Sequence, residues 1–330
     1  MPGKRKYGMR HDKEVELHGA KARPTHSSEA VPRWGTANVG EAHSSAFPTT
    51  YTYMDGKPAS AGVLLDAVRS EDSDVFDFGL FETLRVYGGR AFGVEEHLER
   101  LRESAKTAGY PREPDLPKIR SGLQGSLRDF LGKNKQRDLR SRVLCVRITL
   151  WGDRVFFMIG SRERAQKVFQ SGVRLRTSPV PKSHPHAGGS QLKTSDYVNG
   201  LLAFLEPVRA TAPDVLMLDP SGCLAETTAG NIFLVKQKCL LTPSAHGILN
   251  GVTRRFVIKC ARRLGVPVFE TPLTRHEAYN ADEAFLTNTS WEILPISQLD
   301  ARTIGARVPG PVTRKLRQTF QTLIREEASL

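Results

Sequence analysis

Long apolar runs are missing from this 330-residue chain, and nothing in it approaches the roughly 20 residues needed to cross a bilayer. The amino-terminal MPGKRKYGMRHDKE lacks the apolar core of a secretory signal. Asp12, Glu14, Glu16 and Glu29 also break the acid-poor pattern of an organellar presequence. The expectation is a cytoplasmic protein, with organellar targeting by this basic extension left open. Cysteine is scarce as well. Cys145, Cys223, Cys239 and Cys260 are widely spaced and form no CxxC pair, which argues against a disulfide framework and a structural zinc. They are read as small buried hydrophobes in a reducing compartment, and no metal is expected.

Acidic residues are outnumbered, giving a net charge of +13. Much of the excess sits in residues 1–33, with eight Lys/Arg against four acids, and in 112–142, with nine against four. Neither stretch interleaves aromatics with its basic residues, and no nucleic-acid motif accompanies them. They read as a solvated tail and a solvated surface, so neither nucleic acid nor membrane is an expected partner. Internal repeats are absent too. What is present is the 39% hydrophobic and 25% charged composition of a soluble globular protein, long enough for two core-bearing domains.

Residues 1–48 are rich in Gly, Pro, His, Ser and charge without a period, and read as a disordered or loosely attached extension. Asp55-Gly56 is a hairpin signal, and Gly88-Gly89 separates two strand-like runs in VFDFGLFETLRVYGGRAF. Helical spacing follows at Leu98, Leu101 and Ala105, a second helix is predicted over LPKIRSGLQGSLRDFLG, and SRVLCVRITLW and RVFFMIG read as strands. After the Pro/Gly/Ser/His-rich SPVPKSHPHAGGSQ come a helix over 199–210, hairpins around Pro220–Gly222 and Lys236–Lys238, and an amphipathic helix in GVTRRFVIKCARRLG. A strand, EAFLTNTSW, and a final surface helix packing Leu316, Phe320, Leu323 and Ile324 complete the pattern. Strands and helices mix without βαβ alternation, which predicts two α+β domains, at 49–162 and 169–330, joined by a connector at 163–168.

Several residues invite a chemical reading, and each has a plainer one. Gly251-Val252-Thr253 opens an amphipathic helix, whose first N–H groups favour an anion but also need only ordinary capping. The hydroxyls of TNTS at 287–290 end a strand, as many turns do. Arg100 shares a helix face with His97, but a surface ion pair with Glu96 or Glu103 is the better explanation of it taken alone. Glu226 ends the apolar run CLAE, either at a strand edge or as a buried acid kept for a cationic ligand atom. Lys193, in GGSQLKTSDYVNG, is either a solvated loop lysine or a nucleophile whose amine is deprotonated by burial near other cations.

The order of these segments is more telling than any one of them. FETLRVYGGRAF with HLERLRESA, then LKTSDYVNGLLA, ETTAGNIFLV, LTPSAHGILNGVTRR and ADEAFLTNTSWEILPI resembles the class IV family of pyridoxal-phosphate enzymes. That family includes branched-chain and D-amino-acid aminotransferases and aminodeoxychorismate lyase. The resemblance spans roughly residues 50 to 300. It implies fold type IV: an α+β protein with a smaller N-terminal α/β domain, a larger β-rich C-terminal domain that binds pyridoxal 5′-phosphate, and a homodimeric assembly.

It also implies roles for residues. Lys193 would form the Schiff base and carry the proton, and Glu226 would pair with the pyridine nitrogen. Arg100, Val252, Thr253 and Thr289 would hold the phosphate, and Tyr197 would lie near the 3′ oxygen, although it follows the lysine by four residues where branched-chain enzymes often have five. Asp77-Phe78-Gly79-Leu80 departs from the family's usual Gly-x-Gly and bears on specificity. Phe76, Phe81, Trp151 and Trp291 would line an apolar substrate pocket. Trp151 stands near where some D-amino-acid enzymes place an arginine for the substrate carboxylate, and Arg147 is either a substitute for that charge or a solvent-facing strand residue. The implied activity is transfer of an amino group from an amino acid, branched-chain or otherwise apolar, to a 2-oxo acid. The alternative is a lyase releasing pyruvate to form 4-aminobenzoate.

Overall fold

The computed structural model describes residues 51–60, 79–110, 112–134, 142–151, 153–163, 166–182, 189–194 and 214–328. By its contacts the chain divides into Met1–Thr36 and Ala37–Leu330, and every described residue lies in the second unit. The helix expected over 199–210 lies outside the described residues. Among those described, no helix is long and apolar enough to cross a membrane.

The first sheet begins with β1 (Tyr51–Met54) and β2 (Lys57–Pro58), joined through Asp55 and Gly56 at positive φ, the backbone that a two-residue hairpin requires. β3 (Leu80–Tyr87), β4 (Arg90–Ala91), β5 (Arg142–Trp151) and β6 (Arg154–Glu163) complete an antiparallel sheet ordered β2-β1-β6-β5-β3-β4. Successive side chains alternate between faces. Leu80, Leu84 and Val86 of β3 share one face with Val146, Ile148 and Leu150 of β5. Onto that face pack α1 (Val94–Thr107), through Leu98, Leu101 and Ala105, and α2 (Leu116–Lys133), through Ile119, Leu123 and Phe130. α2 is capped at its start, and one of its glycines, Gly122, has a packing reason. Asp115 caps its first turn by accepting from the Lys118 amide at 2.9 Å, and a Cβ at Gly122 would meet the Phe157 ring at 2.9 Å.

The second sheet follows α3 (Gln166–Ser171) and comprises β7 (Val173–Thr177), β8 (Val215–Leu218), β9 (Leu224–Thr227), β10 (Asn231–Lys236), β11 (Cys239–Thr242), β12 (Val268–Glu270), β13 (Glu283–Asn288), β14 (Glu292–Leu299) and β15 (Arg302–Thr303). Its order is β12-β11-β10-β13-β14-β7-β8-β9, with β15 on β14. A further pairing of Glu226 with Asn231 joins β9 to β10, so β10, β13, β14, β7, β8 and β9 close into a ring. Ile232, Leu234, Ala284, Leu286 and Ile296 form one core of this sheet. The alternate residues Phe233, Val235 and Phe285 form another beneath α4 (Val252–Arg263) and α6 (Pro311–Ala328). Burial on both faces is why NIFLV and EAFL are almost continuously apolar rather than alternating. The short α5 (Arg275–Tyr279) carries a Thr274/Glu277 capping box.

Two sequence expectations need correction. EILPI continues as the eight-residue β14 instead of ending the strand segment at Trp291, because Thr289 and Ser290 turn the chain back to pair antiparallel with β13. Of the cysteines, only Cys260 is buried. Cys145 lies on the non-core side of β5, Cys223 follows a turn and Cys239 opens a hairpin strand, so all three are half-buried.

The β10–β11 hairpin turns at Gln237 and Lys238, with φ of 50° and 64°, where a side chain crowds the backbone. Lys238→Gly should therefore raise stability by about 0.5–1 kcal/mol, the relieved strain exceeding glycine's entropic cost. Urea midpoints of the two proteins check this.

Candidate functional site

Local structure first gathers an anion-binding end. α4 starts at Gly251 with no side-chain cap, so its leading N–H groups keep their hydrogen-bonding capacity and the positive end of the helix dipole. Arg100 flanks this start and donates from Nη1 to the Asn250 carbonyl at 3.0 Å. Thr253, Val252 and Thr289 line one small cavity together with His97. The loop carrying Thr289 is fixed by Arg85, whose Nη1 donates to the Ser290 carbonyl and pairs with Glu292, and the Tyr87 hydroxyl donates to the same carboxylate.

Arg100 is not the surface residue that its helix neighbours suggested. It is buried, and its partner is Glu82 rather than Glu96 or Glu103: Nε and Nη2 donate to the two carboxylate oxygens, each at 2.7 Å. His97 Nδ1 lies 2.6 Å from Glu82 Oε2. Burial by itself would raise the Glu82 pKa, but the Arg100 charge and His97 outweigh it and hold the carboxyl at about 2. Burial likewise lowers the His97 pKa, against the pull of Glu82. Bonds to Glu82 and Asn250 occupy three of the five Arg100 N–H groups, so two remain for an anion.

The opposite end is acidic. Glu226 is buried on β9; its Oε2 accepts from Asn231 Nδ2 at 2.9 Å, and its Oε1 from the Leu249 amide at 3.1 Å and from Lys182 Nζ at 2.5 Å. Asn231 Nδ2 also donates to the Leu249 carbonyl at 2.8 Å, and a Cβ at Gly251 would overlap Asn231 Oδ1. One amide thus braces both the acid and the loop that leads into α4.

Lys193 feels the charges of both ends. Its segment is stapled to β3, with the Phe81 amide donating to the Lys193 carbonyl at 2.9 Å and Thr194 bridging to Leu80. Nζ sits 4.7 Å from the Phe81 ring centroid. Burial, with Arg100 next in weight, brings the Lys193 pKa down to about 8, and the charges of Arg147 and Glu226 are also felt. Phe81 and Arg147 occupy the non-core face of the first sheet, with the guanidinium 3.7 Å from the ring centroid. Trp151 shares that face and rests on Gly79, where a Cβ would fall 2.9 Å from its ring. Trp291 packs partly into the core of the second sheet. Phe76 and Tyr197 lie outside the described residues.

The residues fit pyridoxal phosphate. An uncapped helix start beside an arginine with spare donors suits the phosphate, a buried carboxylate suits the ring nitrogen, and a half-buried amine of lowered pKa lies within electrostatic reach of both. Sequence reasoning passed over two residues of this site. Glu82 was detectable as a charge at a core-facing position between Leu80 and Leu84. Asn231 was detectable as an amide opening a doubly buried strand five residues after Glu226.

Glu82, ionised down to about pH 2 when folded against an ordinary 4.5, stabilises the fold fully above pH 4.5. That contribution disappears as pH falls toward 2, and Glu82→Gln should flatten this acid limb in unfolding titrations. Asn231→Ala strands polar groups at both ends of the site, costing about 1–3 kcal/mol in urea unfolding. The same variant should weaken pyridoxal-phosphate binding, measured by fluorescence quenching.

Residues 79–299 match the amino-transferase class IV family. A branched-chain-amino-acid aminotransferase of Pseudomonas aeruginosa is 30% identical over 270 residues, covering 76% of this chain and 85% of that protein. The crystal structure of the Escherichia coli branched-chain amino acid aminotransferase superposes with a TM-score of 0.69 at 27% identity, covering 83% of this chain and 94% of its own. The branched-chain amino acid aminotransferase of Thermobaculum terrenum in its PLP form gives 0.65 at 26% identity, covering 84% of this chain and 94% of its own. With the matched segment spanning the described elements from β3 to β14, the chain belongs to the class IV aminotransferase family.

Proposed function

We propose that this chain is a pyridoxal-phosphate-dependent aminotransferase that moves an amino group from a branched-chain amino acid to a 2-oxo acid. The observation that carries this reading is Lys193: a half-buried lysine whose pKa is brought down to about 8 by desolvation of its amine, within the electrostatic reach of both Arg100 and Glu226. The P. aeruginosa and E. coli relatives, both named as branched-chain enzymes, support the substrate class. The lyase alternative finds no support among these relatives.

When bound, pyridoxal phosphate supplies an aldehyde that condenses with amines and a ring that accepts electron density from the substrate α-carbon. The chain's residues do the rest. Arg100, the first turn of α4 with Thr253, and Thr289 hold the phosphate. Glu226 keeps a proton on the ring nitrogen. Lys193 Nζ accepts the proton from the substrate α-carbon and returns it on the far side of the transfer, for which a pKa near 8 is well matched. Phe81 and Trp151 offer apolar contact to a branched side chain, and Arg147 offers charge to a carboxylate. On the family expectation, the working unit is a homodimer.

Lys193 is protonated below about pH 8 and becomes nucleophilic above it. Capture of pyridoxal phosphate by the apoenzyme should therefore quicken as pH rises through 8 and level off beyond. Borohydride should fix the cofactor to Lys193. Lys193→Arg should abolish that adduct and lower transamination of branched-chain substrates by ~10²–10⁴-fold or more. Mass spectrometry of the reduced protein and a coupled assay with leucine and 2-oxoglutarate check both, and an adduct on another lysine would refute the assignment.

A further inference from the structure

Lys182 has no part in the chemistry described above, yet its ammonium is the closest partner of the acid. The segment leading to it runs beside β8, where the Ser178 amide donates to the Leu216 carbonyl at 2.7 Å and the Lys182 amide to the Leu218 carbonyl at 2.8 Å. The backbone is thereby fixed at both ends of a five-residue stretch. The side chain then reaches Glu226 Oε1 at 2.5 Å, with 12% of it exposed against 4% for Glu226. This is a nearly dry ion pair, unlike the surface pairs of α1 and α2, and burying two charges is costly unless geometry and further hydrogen bonds compensate. Compensation is present at the acid: the Leu249 amide shares Oε1 with Lys182, and Asn231 takes Oε2.

The arrangement is asymmetric. Oε1 carries two donors and Oε2 carries one. A carboxylate offers about four lone-pair directions, so the place left for a fourth donor is on Oε2. We propose that Lys182 is a positioning residue for cofactor binding: it holds the Glu226 side chain by Oε1 so that Oε2 is left for the ring nitrogen, and so helps keep that nitrogen protonated. This rests on the reading of Glu226 as the ring-nitrogen acid. Proton sharing between a buried carboxylate and a ring nitrogen can end with both groups neutral. A cation in direct contact with a carboxylate stabilises its negative charge. With the ammonium on Oε1 and the ring nitrogen received at Oε2, Lys182 would oppose positive charge on the ring less strongly than it supports negative charge on the acid.

The test uses full-length apoenzyme reconstituted with pyridoxal phosphate labelled with ¹⁵N in the ring. The ring-nitrogen resonance and the cofactor dissociation constant are measured in the wild type and in Glu226→Gln, Lys182→Gln and Lys182→Arg. Lys182→Gln should weaken cofactor binding about tenfold and move the ¹⁵N resonance toward that of neutral pyridine. Lys182→Arg, which keeps the charge, should restore both to within about twofold of the wild type. Lys182→Met supplies the same contrast with arginine should the glutamine variant fail to fold. If Glu226→Gln shifts the resonance while Lys182→Gln leaves resonance and affinity unchanged, Lys182 is only a structural ion pair and the proposal falls. Tighter binding in Lys182→Gln also overturns it, since the lysine would then compete with the ring for the acid. An unchanged resonance in Glu226→Gln refutes the underlying role of Glu226, and this proposal with it.

Discussion

The pairing of Glu226 with Asn231 is the constraint on which most of the molecule depends. It is a backbone bridge that closes six strands into a ring, and a side-chain hydrogen bond within the same pair. Closure brings the end of β9 against the start of β10, so the acid is placed by the sheet itself rather than by a loop. The same asparagine then grips the Leu249 carbonyl and packs on Gly251, which fixes where α4 begins. The acidic and the anion-binding ends of the site are consequently held at one separation by one residue. A site on rigid elements, braced by neighbours that are themselves fixed, can keep the tolerances that catalysis requires.

A second constraint comes from the first sheet. Glu82 shares its core face with Leu80, Leu84, Val86, Val146, Ile148 and Leu150, where a carboxylate would be prohibitively placed alone. Arg100 and His97 of α1 resolve this, since their donors meet both oxygens of the carboxylate. The exchange is reciprocal. Glu82 holds the guanidinium in one orientation, and that orientation sends Nη1 across to Asn250 at the start of α4. Arg255 reinforces the same junction from the other side, donating to the Glu96 carbonyl of α1 at 3.1 Å. A buried ion pair of this kind is poor evidence for stability, but it specifies geometry, and geometry is what the anion-binding end requires.

Much of this was legible in the sequence because strong local signals agreed with the global fold. The hairpins at Asp55-Gly56 and Gly88-Gly89, the faces of α1, α2, α4 and α6, and the doubly buried strands all follow from spacing and turn chemistry. The order of the segments singled out Lys193, Glu226, Arg100, Thr253 and Thr289; Arg100, Thr253, Thr289 and Glu226 lie around the starts of α4 and β10, and Lys193 lies against β3. What spacing could not reveal is partnership. Arg100 has acids three and four residues away on its own helix, yet its partner is 18 residues earlier on a strand. Lys182 and Glu226, 44 residues apart, belong to segments that only β7–β8 and β8–β9 pairing brings together. Periodicity reports which face a residue occupies, not which distant side chain waits there.

The charges of the site also depend on one another. Arg100 is needed for an anion, but its field lowers the Lys193 pKa, and Arg147 adds to that effect. Glu82 and Glu226 act in the opposite sense, so the lysine reports a balance between two acids and two arginines superimposed on its burial. Stronger cationic surroundings alone would leave the amine unprotonated but a poor acceptor, since a base weakens as its pKa falls. Stronger acidic surroundings would keep it charged and inert at neutral pH. Glu82 therefore has two effects that cannot be separated by any single substitution of Arg100: it orients the guanidinium, and it moderates how far that guanidinium depresses the lysine. The value near 8 follows from desolvation of the amine together with this balance of opposing charges, of which Arg100 and Glu82 are fixed by hydrogen bonds to each other.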